Sequence, residues 1–213
     1  LDPFRIDVGQ LSLVEGDETI SARGHLRATP EGWRLALDTG INRIGIDRLL
    51  ALWPVHLVPQ TRKWLADNVA VAELFDLRAA VRTAPNSAPV ISLDYEFRDA
   101  AVRFIKTLPP ITGAWGRAGI KDRTYTMVVN QGTVSPPQGG PIRVNSGTFT
   151  IGTITDRPAR AHIVMQTEST ITAALSVLDE PPFRFLTKAG KPVDMAEEGL
   201  AELPRGFVHD RLR

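Results

Sequence analysis

At 213 residues the chain can bury about 70% of its unfolded surface, enough for one good core or two small ones. Its 25 basic and 24 acidic residues leave a formal charge of +1, so no global field draws a polyanion and nucleic-acid binding is disfavoured. No cysteine is present, which excludes disulfides and thiol chemistry while leaving the compartment open.

The N-terminus, LDPFRIDVGQ, places Asp2, Arg5 and Asp7 in its first seven residues, and no stretch of about 20 apolar residues follows anywhere. It reads as neither a signal peptide nor a membrane span. The chain starts without methionine and opens and closes inside apparent structure. The expectation is a piece of a longer protein, with any targeting or anchoring segment outside it.

The first forty residues read as a strand meander. Phe4, Ile6 and Val8 alternate with Arg5 and Asp7, and Leu11 and Leu13 resume the pattern beyond Gly9. Glu15, Gly16 and Asp17 supply one hairpin turn and PEGW at Pro30 a second. From Ile41 to Trp53 apolar residues become too dense for alternation, which suits a short helix stopped by Pro54 or a connector across the sheet. Gln60 to Val69 predicts a helix of two to three turns, with Thr61 near its N-cap and Arg62, Lys63 and Asp67 on a wet side.

Phe75, Leu77, Ala79 and Val81 then alternate with Asp76, Arg78 and Arg82, and ISLDYEF repeats the pattern with Ile91, Leu93, Tyr95 and Phe97. DAAVRFIKTLPPI holds a strand or one helical turn ended by Pro109 and Pro110. The glycines of GAWGRAGI predict a twisted or bulged strand, because a phosphate loop would have to lead into a helix and KDRTYTMVVNQGTV reads as another strand. IRVNSGTFTIGTI predicts one or two strands and RAHIVMQTES another. A short helix follows from Ser169 or Thr170 to Leu178, ended by Asp179 to Pro182. The tail from Phe183 reads as irregular chain with a helical turn, and FVHDRLR as a further strand cut short.

Catalytic patterns are weak. His25, His56, His162 and His209 include no pair at i, i+4, so a metal site would have to assemble wholly through the fold. No G-x-S-x-G surrounds a serine, and Ser92, Ser135, Ser146 and Ser169 sit in strand or turn contexts. Asp94 and Glu96 share the polar side of one strand, about 7 Å apart by strand rise. That suits an acid pair for glycoside chemistry, yet such a pair is far more often a solvated sheet face. Basic residues are interleaved with acidic ones, which favours cross-strand pairing over a phosphate-tracking stripe, with a local anionic-surface contact left open.

The apolar faces are more informative. Many strands and few helices mean that a one-sided sheet must bury its face against another sheet, against helices or around an apolar guest. Periodicity leaves open whether the resulting trough is packed or empty.

WPVHLVPQTRKWLADNV, FRDAAVRFIKTLPPITGAWGRAGI, NQGTV with GGPIRV, and ALSVLDEPPF together resemble the large AsmA-like envelope proteins, in particular the domain of unknown function of the YhdP-like members. The resemblance spans about two thirds of the chain, from Trp53 to about Asp179. Its more specific parts are R-K-W-L-x-x-N, here Arg62, Lys63, Trp64, Leu65 and Asn68, and L-P-P-I-x-G-x-x-G, here Leu108, Pro109, Pro110, Gly113 and Gly116. The family pattern places a glycine soon after the first of these, where this chain has Val71, Ala72 and Glu73, so a looser or displaced turn is expected there.

The resemblance implies a periplasmic protein of Gram-negative bacteria anchored in the inner membrane, with an elongated β-groove carrying lipid acyl chains between the two membranes. It implies no enzyme activity, metal or cofactor, and gives the motif residues structural roles. The expected fold is mainly β: a curved antiparallel sheet forming a groove or half-barrel with two or three short helices. It forms one unit over 1–213, with a possible subdivision into a meander at 1–53, a family-like core at 54–182 and a tail at 183–213. The expected guest contacts are Leu77, Val81, Leu93, Tyr95, Phe97, Val128 and Phe149, on the apolar sides of their assigned strands. The partners implied are phospholipid or another acyl-chain lipid, the membrane through segments elsewhere, and envelope proteins. Two other readings stand beside this one: a closed structural or protein-interaction module, and a carbohydrate-active or hydrolytic β protein.

Overall fold

The computed structural model describes residues 4–53, 55, 59–155, 160–181 and 183–186. The tail expectations beyond residue 186, and His56 and His209, lie outside them. Strands β1 (Arg5–Glu15), β2 (Glu18–Thr29) and β3 (Gly32–Gly45) form the opening meander. Helices α1 (Ile46–Leu52) and α2 (Pro59–Asn68) follow, then β4 (Val69–Thr83), β5 (Val90–Val102), β6 (Ile111–Lys121), β7 (Thr124–Val134), β8 (Ile142–Ile151), β9 (Ala161–Glu168) and α3 (Ile171–Asp179). Each strand pairs antiparallel with its sequence neighbours, in the order β1 to β9, and the curled sheet does not close. The fold is thus mainly β, and the β3–β4 ladder carries the sheet unbroken past residues 53 and 54.

The turns follow from local chemistry. Gly16 adopts φ 60 between β1 and β2. Asp122 and Arg123 adopt φ 49 and φ 68 between β6 and β7, the left-handed pair that a tight hairpin needs for its twist to match the strands. Between β2 and β3 the Thr29 hydroxyl donates to the Gly32 carbonyl at 2.9 Å.

Bulges bend the middle of the sheet. Asp76 in β4 (φ 49), Asp99 in β5 (φ 51) and Gly113 in β6 (φ 57) each take the left-handed conformation where the ladder register shifts. An extra residue reverses the alternation, so Leu74 and Leu77 are both buried, as are Phe97 and Ala100. Phe75 therefore does not share the face of Leu77, Ala79 and Val81 as the alternation predicts. It lies on the polar face, with the Arg98 guanidinium 4.7 Å and that of Arg43 5.7 Å from its ring centroid. At Gly116, between Phe97 and Val129, any Cβ would fall 2.0 Å from the Val128 carbonyl oxygen, so only glycine fits where β6 and β7 approach so closely.

The three helices gather at the end of the sheet where β3, β5, β7 and β9 finish. Leu49 and Leu50 of α1 pack against a cluster containing Ile41, Ile44, Leu74, Phe97, Val129 and Val144, in which Ile44 is 0% and Val144 1% exposed. Helix α2 starts at Pro59, whose fixed φ suits a first helical position, so Thr61 sits inside the first turn rather than at the N-cap. No turn separates α2 from β4, which begins at Val69. Helix α3 is capped by Thr170, whose Oγ1 accepts from the Ala173 amide at 3.1 Å and donates to the Gly139 carbonyl at 2.8 Å. That second bond fastens α3 to the β7–β8 connection.

The apolar face as candidate functional site

Cross-strand register assigns the paired positions to one of two faces, because directly paired residues share a side. One face is apolar from edge to edge. It carries Ile6, Val8, Leu11 and Leu13 on β1, Leu26 on β2, Leu35 and Leu37 on β3, and Leu77, Ala79 and Val81 on β4. It continues through Ile91, Leu93, Tyr95 and Phe97 on β5, Ala118 and Ile120 on β6, and Tyr125 and Met127 on β7, to Phe149 on β8 and Ile163 and Met165 on β9. Among the paired positions, charge enters this face at the β1–β2 turn, where Glu15 and Glu18 both meet Arg48 of α1.

Burial along this face is graded. At the helix end it is packed by the protein's own side chains. Toward the other end, and along both edges, cover is lost: Ile6 is 51%, Ile91 37% and Met165 50% exposed. The face is therefore part core and part open apolar surface.

Of the expected guest contacts, Leu77, Val81, Leu93, Tyr95, Phe97 and Phe149 lie together on this face. Leu77 and Phe97 belong to the packed cluster, while the other four are half-buried. Val128 does not join them. It pairs with Arg117 and Thr148 on the polar side, because Met127 and Val129 hold the inward positions of β7. The exposed rows of β1 and β9 are among the apolar positions that the expected set leaves out. For β1 the signal is the alternation of Phe4, Ile6 and Val8 at the start of the chain.

An aromatic series runs from α2 onto the face. Trp64 of α2 lies 6.3 Å from Phe104, Phe104 5.8 Å from Phe149, and Phe149 6.1 Å from Tyr125 by ring centroids. The Tyr95 and Tyr125 hydroxyls stand 3.2 Å apart. Burial pushes both phenols above their ordinary pKa. Their mutual hydrogen bond lowers that of Tyr95 in part and raises that of Tyr125 further.

The motif residues hold the helix end together. The Arg62 guanidinium donates to the Leu50 and Trp53 carbonyls at 3.0 and 3.3 Å, tying α2 to the end of α1. Lys63 pairs with Asp67 at 2.7 Å, and the Asn68 amide donates to the Trp64 carbonyl at 2.8 Å. Leu65 is half-buried. Leu108 donates its amide to Ile105 in the turn before Pro109, Pro110 and β6, where Gly113 makes the bulge and Gly116 the close approach.

The opposite face is polar and ion-paired. Arg82 and Arg23 reach Asp38 at 2.5 and 3.4 Å, and the hydrogen bond from Arg82 holds the Asp38 carboxyl below its ordinary pKa. The twist of a sheet makes each face concave along one diagonal. On the polar side a concavity of about 1340 Å³ is lined by Arg23, Asp38, Arg78, Asp94, Arg117 and Lys121 among smaller residues. Asp94 and Glu96 both lie on this exposed side, and Glu96 faces Arg98 at 3.6 Å. Ser146 donates to Gln166 at 3.2 Å. Among the described residues no group of three or more histidines and carboxylates could hold a metal, and no helix is long and apolar enough to cross a membrane. No family model matches the chain, and neither does any curated protein or solved structure.

Proposed function

We propose that the chain is a segment of an AsmA-like, YhdP-like envelope protein, anchored in the inner membrane and lying in the periplasm, and that it conducts phospholipid between the two membranes along its apolar sheet face. The observation that carries this reading is an apolar face that continues over nine strands, with charge at the β1–β2 turn, and that among the described residues is covered by helices at one end only. Acyl chains need no specific chemistry to be held there. Each methylene withdrawn from water contributes about 0.8 kcal/mol, and a headgroup can stay wet at the rim. The motif segments Arg62 to Asn68 and Leu108 to Gly116 add support, since both sit where the helix end of the face is closed.

Native mass spectrometry of the chain purified without detergent tests the reading. Co-purifying phospholipid is expected, and Ile91→Asp, which puts a charge on an exposed position of the face, is expected to remove most of it with the fold intact. A chain that stays lipid-free and takes up no added phospholipid would falsify the conduit. A second reading, a closed interaction module of the envelope, is favoured by the packed cluster around Ile44 and Val144. Failure to take up lipid is the result it anticipates.

A further inference from the structure

Two phenols share a single hydrogen bond on the apolar face of the sheet. Tyr95 and Tyr125 stand on β5 and β7, and their side chains meet over β6, where Ala118 is 3% exposed and small enough to leave room. Each hydroxyl has one proton to donate. Whichever tyrosine donates across the 3.2 Å contact, the proton of the other has no acceptor among the described residues. A donor left so in apolar surroundings is costly, and a ligand that supplies an acceptor removes that cost.

The surroundings select the acceptor. The neighbours on this face are Leu93, Phe97, Ile120, Met127 and Phe149, and the basic side chains of these strands, Arg98, Arg117 and Lys121, lie on the other side. A carboxylate or phosphate placed beside the phenols would be an uncompensated charge in hydrocarbon, whereas a neutral carbonyl loses little hydration and gains a bond. We infer that the Tyr95–Tyr125 pair is a polar contact point inside the groove that takes the neutral ester carbonyl of an acyl lipid. It thereby distinguishes ester-linked lipid from ether-linked lipid and from free fatty acid. The inference rests on the proposed acyl-lipid groove and adds the linkage chemistry of its ligand.

Titration of the purified chain with dioleoylglycerol, its dioleyl ether analogue and oleate, read by native mass spectrometry, tests this. The wild-type chain is expected to bind the diester about fivefold more tightly than the diether, the worth of one neutral hydrogen bond. Tyr95→Phe and Tyr125→Phe each free the remaining phenol from its partner, so each single variant is expected to keep the preference. The double variant, with circular dichroism unchanged, is expected to bind the diether as before and the diester no better. Equal affinities in the wild type, a preference that survives in the double variant, or tightest binding of oleate at neutral pH would overturn the inference and leave the groove standing. Binding of none of the three overturns the groove and this inference together.

Discussion

The Tyr95 and Tyr125 phenols also leave a signature on stability. Burial raises both above the ordinary value of 10.0, Tyr125 further through its neighbour, whereas the same groups in the unfolded chain titrate near that value. Below pH 10 both states hold these protons and the pair has no effect on the pH profile. Above it the unfolded chain releases protons that the native chain keeps, so native stability falls as pH rises. The slope is about 1.4 kcal/mol per pH unit for each proton retained. Urea midpoints measured from about pH 9 to pH 11 are therefore expected to fall more steeply for the wild type than for the Tyr95→Phe, Tyr125→Phe double variant. Parallel curves would mean that the phenols are no more buried in the native state than in the unfolded one.

Within single elements, the bulges divide what alternation can read from what it cannot. ISLDYEF follows a strict period of two, and its inward row of Ile91, Leu93, Tyr95 and Phe97 is legible from the order of residues alone. In β4 the same logic puts Phe75 inside, because nothing in LFDL announces that Asp76 will turn left-handed and shift the count by one. Val128 fails for a related reason: MVV offers apolar side chains to both faces, and only pairing with β6 and β8 decides which one points inward. The expected contact set was thus limited by register, a property of neighbouring strands. Truncation separates the two placements in β4. Leu74→Ala, at a 7% exposed position, is expected to cost about 2–5 kcal/mol of unfolding free energy. Phe75→Ala, whose ring is covered mainly by Arg98 and Arg43, is expected to cost about 1 kcal/mol. A larger loss at Phe75 than at Leu74 would restore uninterrupted alternation and remove the bulge.

For the whole molecule the governing fact is that, among the described residues, the sheet ends twice. A strand within it is held by two ladders, whereas β1 and β9 are each held by one, to β2 and β8. All 11 residues of β1 and all eight of β9 are exposed, while the buried cluster draws on β3 to β8. Because every ladder joins sequence neighbours, an edge strand can detach without breaking any other pairing, so opening proceeds inward from the edges. Hydrogen exchange followed by mass spectrometry is expected to show β1 and β9 exchanging at least about tenfold faster than β4, β5 and β6. Uniform exchange along the sheet would mean that something covers both edges in solution. If the slowing at β1 grows with protein concentration, a second copy has paired with its free backbone; if it appears only when phospholipid is added, the exposed row of Ile6, Val8, Leu11 and Leu13 is part of the lipid-bearing face.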